Sequence, residues 1–166
     1  MIVKSIPMNM FICKIEEHEE YKERLLSLIA SMPDLSYETV SKTDWTLERD
    51  YPRRYLQVFY QEILGGKNKY LEIQKDFYEA ESIDIVNGWF QQYADNSEHI
   101  WHRHAQANYT NVYFLELPDK EHRTEIENIE YDAEEGYLIS FPAHILHRGK
   151  PSKKRKTVIA FNTNFL

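Results

Sequence analysis

Gly136-Tyr-Leu-Ile-Ser-Phe-Pro142 reads as a strand that stops at a proline turn. Aromatic and aliphatic side chains dominate Gly136–Phe141, and proline ends a ladder because it has no N–H to donate. Working outward, the same texture recurs in Ile83–Tyr93, Thr110–Leu117, Thr124–Tyr131 and Lys156–Leu166, with Asp, Asn, Gly or Pro between the runs. Strands this closely spaced, with no helical period between them, point to antiparallel pairing in a sandwich or barrel. Upstream of Ser82 the period changes. Tyr21, Leu25, Leu28, Ile29 and Met32 recur at helical spacing within Glu16–Met32, and Pro33 ends that run. A second helix is predicted over Pro52–Leu64, closed by Gly65-Gly66, and a weaker third over Lys69–Glu81. The chain therefore reads as one mainly β domain over 1–166, with a helical front and N-terminal strand (1–82) and a β core (83–166). The basic run Arg148, Lys150, Lys153, Lys154, Arg155 and Lys156 reads as a loop feeding the last strand.

Composition narrows the functional classes. Lys plus Arg number 20 against 27 Asp plus Glu, a formal charge of −7. That balance argues against a nucleic-acid coat or a membrane-surface binder, both of which need a basic footprint. The single cysteine, Cys13, excludes an intrachain disulfide and implies no oxidising compartment. No apolar run approaches the ~20 residues that span a bilayer. Met1–Ile15, interrupted by Lys4, Pro7 and Asn9, reads as structure rather than a targeting segment. A soluble, cytoplasmic protein is the expectation.

The seven histidines carry the chemistry. In His102-Arg103-His104, an extended backbone puts both imidazoles on one side, where they can reach one metal ion; neutral imidazole suits Fe, Zn, Cu or Ni. His99, three positions away, is expected to face the other way. A barrel that lays this segment beside the residues after Pro142 adds a third imidazole, from His147 or its competitor His144.

Together with these features, Trp89-Phe-Gln-Gln-Tyr93, Trp101-His-Arg-His104, Val112-Tyr-Phe-Leu115, Gly136 through His147, and Arg155-Lys-Thr-Val-Ile-Ala-Phe-Asn162 resemble the Fe(II)/2-oxoglutarate-dependent oxygenases, in particular small members from tailed bacteriophages. The likeness covers 83–166 and touches the front only at Thr43-Asp44-Trp45. It implies a double-stranded β-helix (jelly-roll, cupin-like) fold with iron held by His102, His104 and His147. His104 stands where the family usually has a carboxylate. Two imidazoles and a carboxylate leave a ferrous site at +1. Three neutral imidazoles leave it at +2, so bound dianionic 2-oxoglutarate makes a neutral complex.

The resemblance also implies a basic residue about nine positions past the distal histidine for the far carboxylate of 2-oxoglutarate. Lys156 has that offset, and Arg155 would replace it if the strand were bulged. Asn162 shares strand parity with Lys156. Alternation places Asn87, Trp89, Gln91 and Tyr93 on one face, with Gln91 a candidate donor to the cosubstrate and Trp89 a core residue. Where many relatives have a carboxylate-binding tyrosine this chain has Phe114, which leaves Tyr113 or Tyr109 to supply the hydroxyl. Trp101 is expected to pack. The implied activity is hydroxylation of a small molecule or peptide. Two alternatives stay open: a cupin-like three-histidine dioxygenase, isomerase or zinc hydrolase without 2-oxoglutarate, or a non-catalytic jelly-roll binding module.

Overall fold

A computed structural model describes residues 9–166. The elements are β1 (Phe11–Lys14), α1 (His18–Ala30), β2 (Lys42–Thr43), α2 (Arg54–Gln57) running on as a π-helical stretch (Val58–Leu64), α3 (Tyr70–Phe77), β3 (Ile83–Tyr93), β4 (Ser97–His102), β5 (Tyr109–Glu116), a 3₁₀ turn (Lys120–His122), β6 (Thr124–Ile126), β7 (Tyr137–Pro142), β8 (His147–Ser152) and β9 (Lys156–Phe165). Of the N-terminal stretch read as structure, β1 lies in a sheet and residues 1–8 lie outside the described residues. No helix among the described residues is long and apolar enough to cross a membrane.

Two antiparallel sheets face each other, one in the order β1-β7-β5-β9-β3-β2 and the other β4-β8-β6. The helical front supplies both outer strands of the larger sheet, β1 against β7 and β2 against β3. Alternation then sorts the side chains. Phe90, Tyr113, Leu138, Ile159 and Phe161 point outward and are covered by Leu25, Ile29, Tyr55, Phe59, Ile63 and Leu64 from the helices. Tyr93, Val112, Phe114, Ile139, Phe141 and Val158 point inward and meet Ile126 of the smaller sheet. Each large apolar side chain buried here contributes about 1.5–3 kcal/mol. Asp44, fully buried, ties the front to the sheet: its Oδ2 accepts from Arg53 Nε (2.8 Å) and the Tyr55 hydroxyl (2.7 Å), and its Oδ1 from the Phe90 amide (2.9 Å).

Three expectations need correction. The strand predicted over Thr124–Tyr131 ends at Ile126, because Asn128 takes a left-handed φ of 58° and Ile129 turns back to bridge Ile126. The basic run is not all loop. His147–Ser152 forms β8, the middle strand of the smaller sheet, and β4 completes that sheet where no strand is predicted. The second helix widens early into the π form, where the Gly65 amide bonds Tyr60 O, five residues back, at 2.8 Å. A methyl group on Gly66 would lie 2.0 Å from Glu62 O, so the predicted glycine stop is a steric requirement.

Candidate metal centre

His102 ends β4 and His147 opens β8, and the two pair directly across the antiparallel ladder. His104 follows two residues on, held by its amide's hydrogen bond to Ala143 O at 2.8 Å. Ligand nitrogens of the three all lie within 4.8 Å of one another. The rings of His102 and His147 are centred 4.2 Å apart, and each is 5.2 Å from the ring of His104. Two of them are oriented by backbone carbonyls two residues upstream: His102 Nδ1 donates to Ile100 O (2.8 Å) and His147 Nδ1 to Ile145 O (2.9 Å). A proton committed at Nδ1 leaves the Nε2 lone pair free for a metal.

The imidazoles are neutral over a wide pH range. Burial, reinforced by neighbouring rings, pushes His147 down to about 3 and His104 to about 4. His102 is lowered by burial as well. Metal coordination needs that neutral form, so protons compete little at neutral pH. Three convergent neutral nitrogens, two on strands and one just past the end of β4, fit a divalent transition metal.

His99 is not where alternation puts it. The ladder slips between Ser97 and His99 and again between His99 and His102. The second slip leaves Ile100 and Trp101 of β4 opposite Arg148 alone on β8, which reverses facing. His99 therefore stacks on His102, with ring centres 3.7 Å apart and planes at 26°. His144 is exposed and outside the cluster.

Asn87, Trp89, Gln91 and Tyr93 do share the inner face of β3, opposite Asn162, Ala160, Val158 and Lys156 of β9. Gln91 lines the site with both ends of its amide engaged: Nε2 donates to His99 Nδ1 (3.0 Å) and Oε1 accepts from the Tyr93 hydroxyl (2.7 Å). Asn162 lies deeper, its Oδ1 accepting from Thr110 and its Nδ2 donating to Asn87. Trp89 is buried as expected and also walls the site, its ring 5.5 Å from that of His104. The exposed Trp45 stands 4.6 Å from Trp89. Trp101 does not pack inward; it is exposed and carries the Arg148 guanidinium 5.0 Å from its ring centre.

Lys156 is fully buried, with Nζ 4.8 Å from the centre of the Tyr93 ring and no hydrogen-bond partner. Burial, then the charge of Lys150, pushes it down to about 7. Arg155 is not brought to the site. It lies just outside β9, no bulge intervenes at Lys156, and its exposed guanidinium is held by Glu116 at 2.6 Å. Tyr113 is also elsewhere. Alternation along β5 turns Thr110 and Val112 to the site and Tyr113 to the helices, where its hydroxyl meets His18 Nδ1 at 2.7 Å and its ring stacks on Phe59. Tyr109 packs on Tyr78 and Phe165.

Sequence reasoning sets His99 aside and places Tyr93 on the right face without a role. The parity of β3 was signal enough for Tyr93. Nothing in the sequence marks the slip that turns His99 inward.

No family model matches the sequence, and comparison with curated proteins finds no match. Solved structures do match in fold. A 2OG-Fe(II) oxygenase family oxidoreductase from Burkholderia pseudomallei superposes with a TM-score of 0.71 at 12% identity, covering 93% of this chain and 84% of its own. The viral collagen prolyl hydroxylase of Paramecium bursaria chlorella virus 1, in complex with 2OG, gives 0.63 at 10% identity over 93% and 94%. A Trichoplax adhaerens prolyl hydroxylase bound to a hypoxia-inducible-factor peptide gives 0.62 at 12% identity over 95% and 84%. The fold is thus the double-stranded β-helix that these oxygenases share.

Proposed function

We propose that this chain is an Fe(II)- and 2-oxoglutarate-dependent oxygenase that hydroxylates a C–H bond of a small molecule or peptide. The observation that carries the reading is the pairing of two features on the inner faces of one barrel. Three imidazoles converge at its mouth, and the unpartnered Nζ of Lys156 lies buried at the head of β9, nine positions past His147. In the bound state, iron and cosubstrate supply the oxidation of a C–H bond by dioxygen, with 2-oxoglutarate leaving as succinate and carbon dioxide.

The chain's own residues divide the remaining work. His102, His104 and His147 hold the metal, and Lys156 offers a point charge to a far carboxylate. Val158 and Ala160 keep the floor apolar, while Trp45 and Trp89 shield the mouth from water. The space between the histidines and β9 is about 20 Å³, room for a water molecule rather than a five-carbon diacid. Admission of the cosubstrate to Lys156 therefore requires side chains that line that space to move.

The closed floor and the absence of a carboxylate from the cluster favour one other reading: a cupin-like three-histidine metalloprotein that does not use 2-oxoglutarate. Anaerobic titration separates the two. Fe(II) followed by 2-oxoglutarate should raise a weak visible charge-transfer band, and Lys156→Met should weaken the second step by at least about tenfold, the worth of one charge-assisted hydrogen bond. Metal binding without that band supports the cupin-like reading. No metal binding leaves a non-catalytic module. A peptide substrate has a precedent in the Trichoplax complex. The phage kinship and the cytoplasmic setting rest on the sequence resemblance and the lone cysteine.

A further inference from the structure

His102 and His147 are held in matching ways, each needing two restraints. Both are tethered at Nδ1 by the carbonyl two residues upstream. One hydrogen bond at a ring edge still lets the ring rock about its Cβ–Cγ bond, so a second surface must stop it. For His147 that surface is Phe141, edge-on at 4.9 Å. For His102 it is His99, stacked at 3.7 Å.

We propose that His99 is a positioning residue for His102, an inference that rests on the metal reading above. Its own orientation is fixed from behind. Gln91 Nε2 donates to His99 Nδ1, Gln91 Oε1 accepts from the Tyr93 hydroxyl, and that hydroxyl is seated against Gly149. Gly149 is also the cross-strand partner of His99, so the restraint closes on itself through β3, β8 and β4. A methyl group on Gly149 would lie 2.5 Å from the Tyr93 oxygen, so the loop closes only with glycine there.

His99 is not a fourth ligand. With Nδ1 accepting from Gln91, the neutral ring carries its proton at Nε2 and presents a donor there, whereas His102 and His147 present lone pairs. Nor do its ring nitrogens belong to the convergent group, which gathers ligand atoms of His102, His104 and His147 alone among the described residues.

Co(II) is the probe, titrated into wild type, His99→Ala, His99→Phe and Gln91→Leu, with the unfolding midpoint of each metal-free protein measured alongside. His99→Ala should bind Co(II) 10–100-fold more weakly, as loss of a residue that orients a ligand does. His99→Phe, which keeps a flat ring against His102, should restore most of that loss. Gln91→Leu, which frees the His99 ring, should fall between them. The visible Co(II) spectrum should keep its band pattern in all four, because no ligand is removed. Wild-type affinity in both His99→Ala and Gln91→Leu overturns the proposal, as does a midpoint that falls without any change in affinity. A changed band pattern in His99→Ala, or a phenylalanine variant as weak as alanine, overturns it in favour of direct ligation. If His99→Ala fails to fold, His99→Phe and Gln91→Leu decide by the same criteria. Failure of wild type to bind Co(II) or Fe(II) overturns the metal reading itself, and this proposal with it.

Discussion

Strands β3 and β9 of the larger sheet pair from Ile83↔Phe165 to Tyr93↔Lys156 with one irregularity, whereas β4 and β8 of the smaller sheet share three aligned pairs and slip twice. The long ladder is covered by helices and built from alternating apolar residues. The short one carries His99 and His102, three residues apart on β4, with His147 opposite on β8, and leaves Ile100 and Trp101 exposed. A regular ladder gives every second residue the same neighbours, which suits a core. A slipped ladder breaks that rule and can gather on one side polar residues that alternation would separate. In this molecule stability resides mainly in the first region and candidate chemistry in the second.

The sharpest way to break that division is to exchange the damage. His147→Ala should reduce bound metal from about one equivalent to background, read by elemental analysis, with little change in the urea midpoint of the metal-free protein. Phe161→Ala, buried between the larger sheet and the Phe59 ring, should do the reverse. It should cost about 3–5 kcal/mol in urea unfolding and leave Co(II) affinity intact wherever the protein is folded. If Phe161→Ala abolished metal binding at full folding, the two regions would be one functional unit.

Acid should expose the smaller sheet first. His147 is held down to about 3 in the folded chain, against about 6.5 when unfolded. Between those values the unfolded chain binds the extra proton, so stability rises with pH across the window and is lost on acidification below about 6.5. In metal-free protein, His147→Gln should flatten that slope, measured as urea midpoint from pH 7 to pH 4. An unchanged slope would show that other groups govern acid stability.

Two glycines make a matched pair of smaller effect. Gly88 on β3 sits under the Tyr60 hydroxyl and Gly149 on β8 under that of Tyr93, and in each case an added methyl group would collide with oxygen, at 1.9 and 2.5 Å. Alanine at either should cost about 1–3 kcal/mol of stability. Only Gly149→Ala should also weaken Co(II) binding. Smallest of all should be Arg155→Ala, which removes an exposed ion pair with Glu116. A loss of under about 1 kcal/mol and an unchanged 2-oxoglutarate titration are expected.

The larger sheet was legible because its pattern is periodic. Ile83–Tyr93, Thr110–Leu117 and Gly136–Phe141 lie within a few residues of β3, β5 and β7, and the shared face of Asn87, Trp89, Gln91 and Tyr93 survives a bulge between Ile85 and Asn87 because that bulge precedes it. The smaller sheet was not legible. His147-Arg-Gly-Lys-Pro-Ser152 is polar, basic and contains proline, so no apolar alternation announces a strand. Its pairing is dictated by the neighbours on either side, β4 and β6. Tyr113 shows the limit from the other side: residue type suggested a hydroxyl for the site, and strand parity turned it toward His18.

The sequence by itself determined that a helical front precedes a β-rich core, and that His102 and His104 can share one side with a third imidazole from His144 or His147; the structure brings in His147. What the sequence determined follows from local properties, namely the period of apolar residues, the stops at proline and glycine, and the spacing of imidazoles. Only the tertiary structure decided that Arg155 lies outside on Glu116 and Lys156 inside beneath Tyr93, and that His99 lies against His102 rather than away from it. The reason is register. A slip of one residue between two strands reverses which side chains face the barrel, and that slip is set by contacts between segments some fifty positions apart, such as His99 with Gly149.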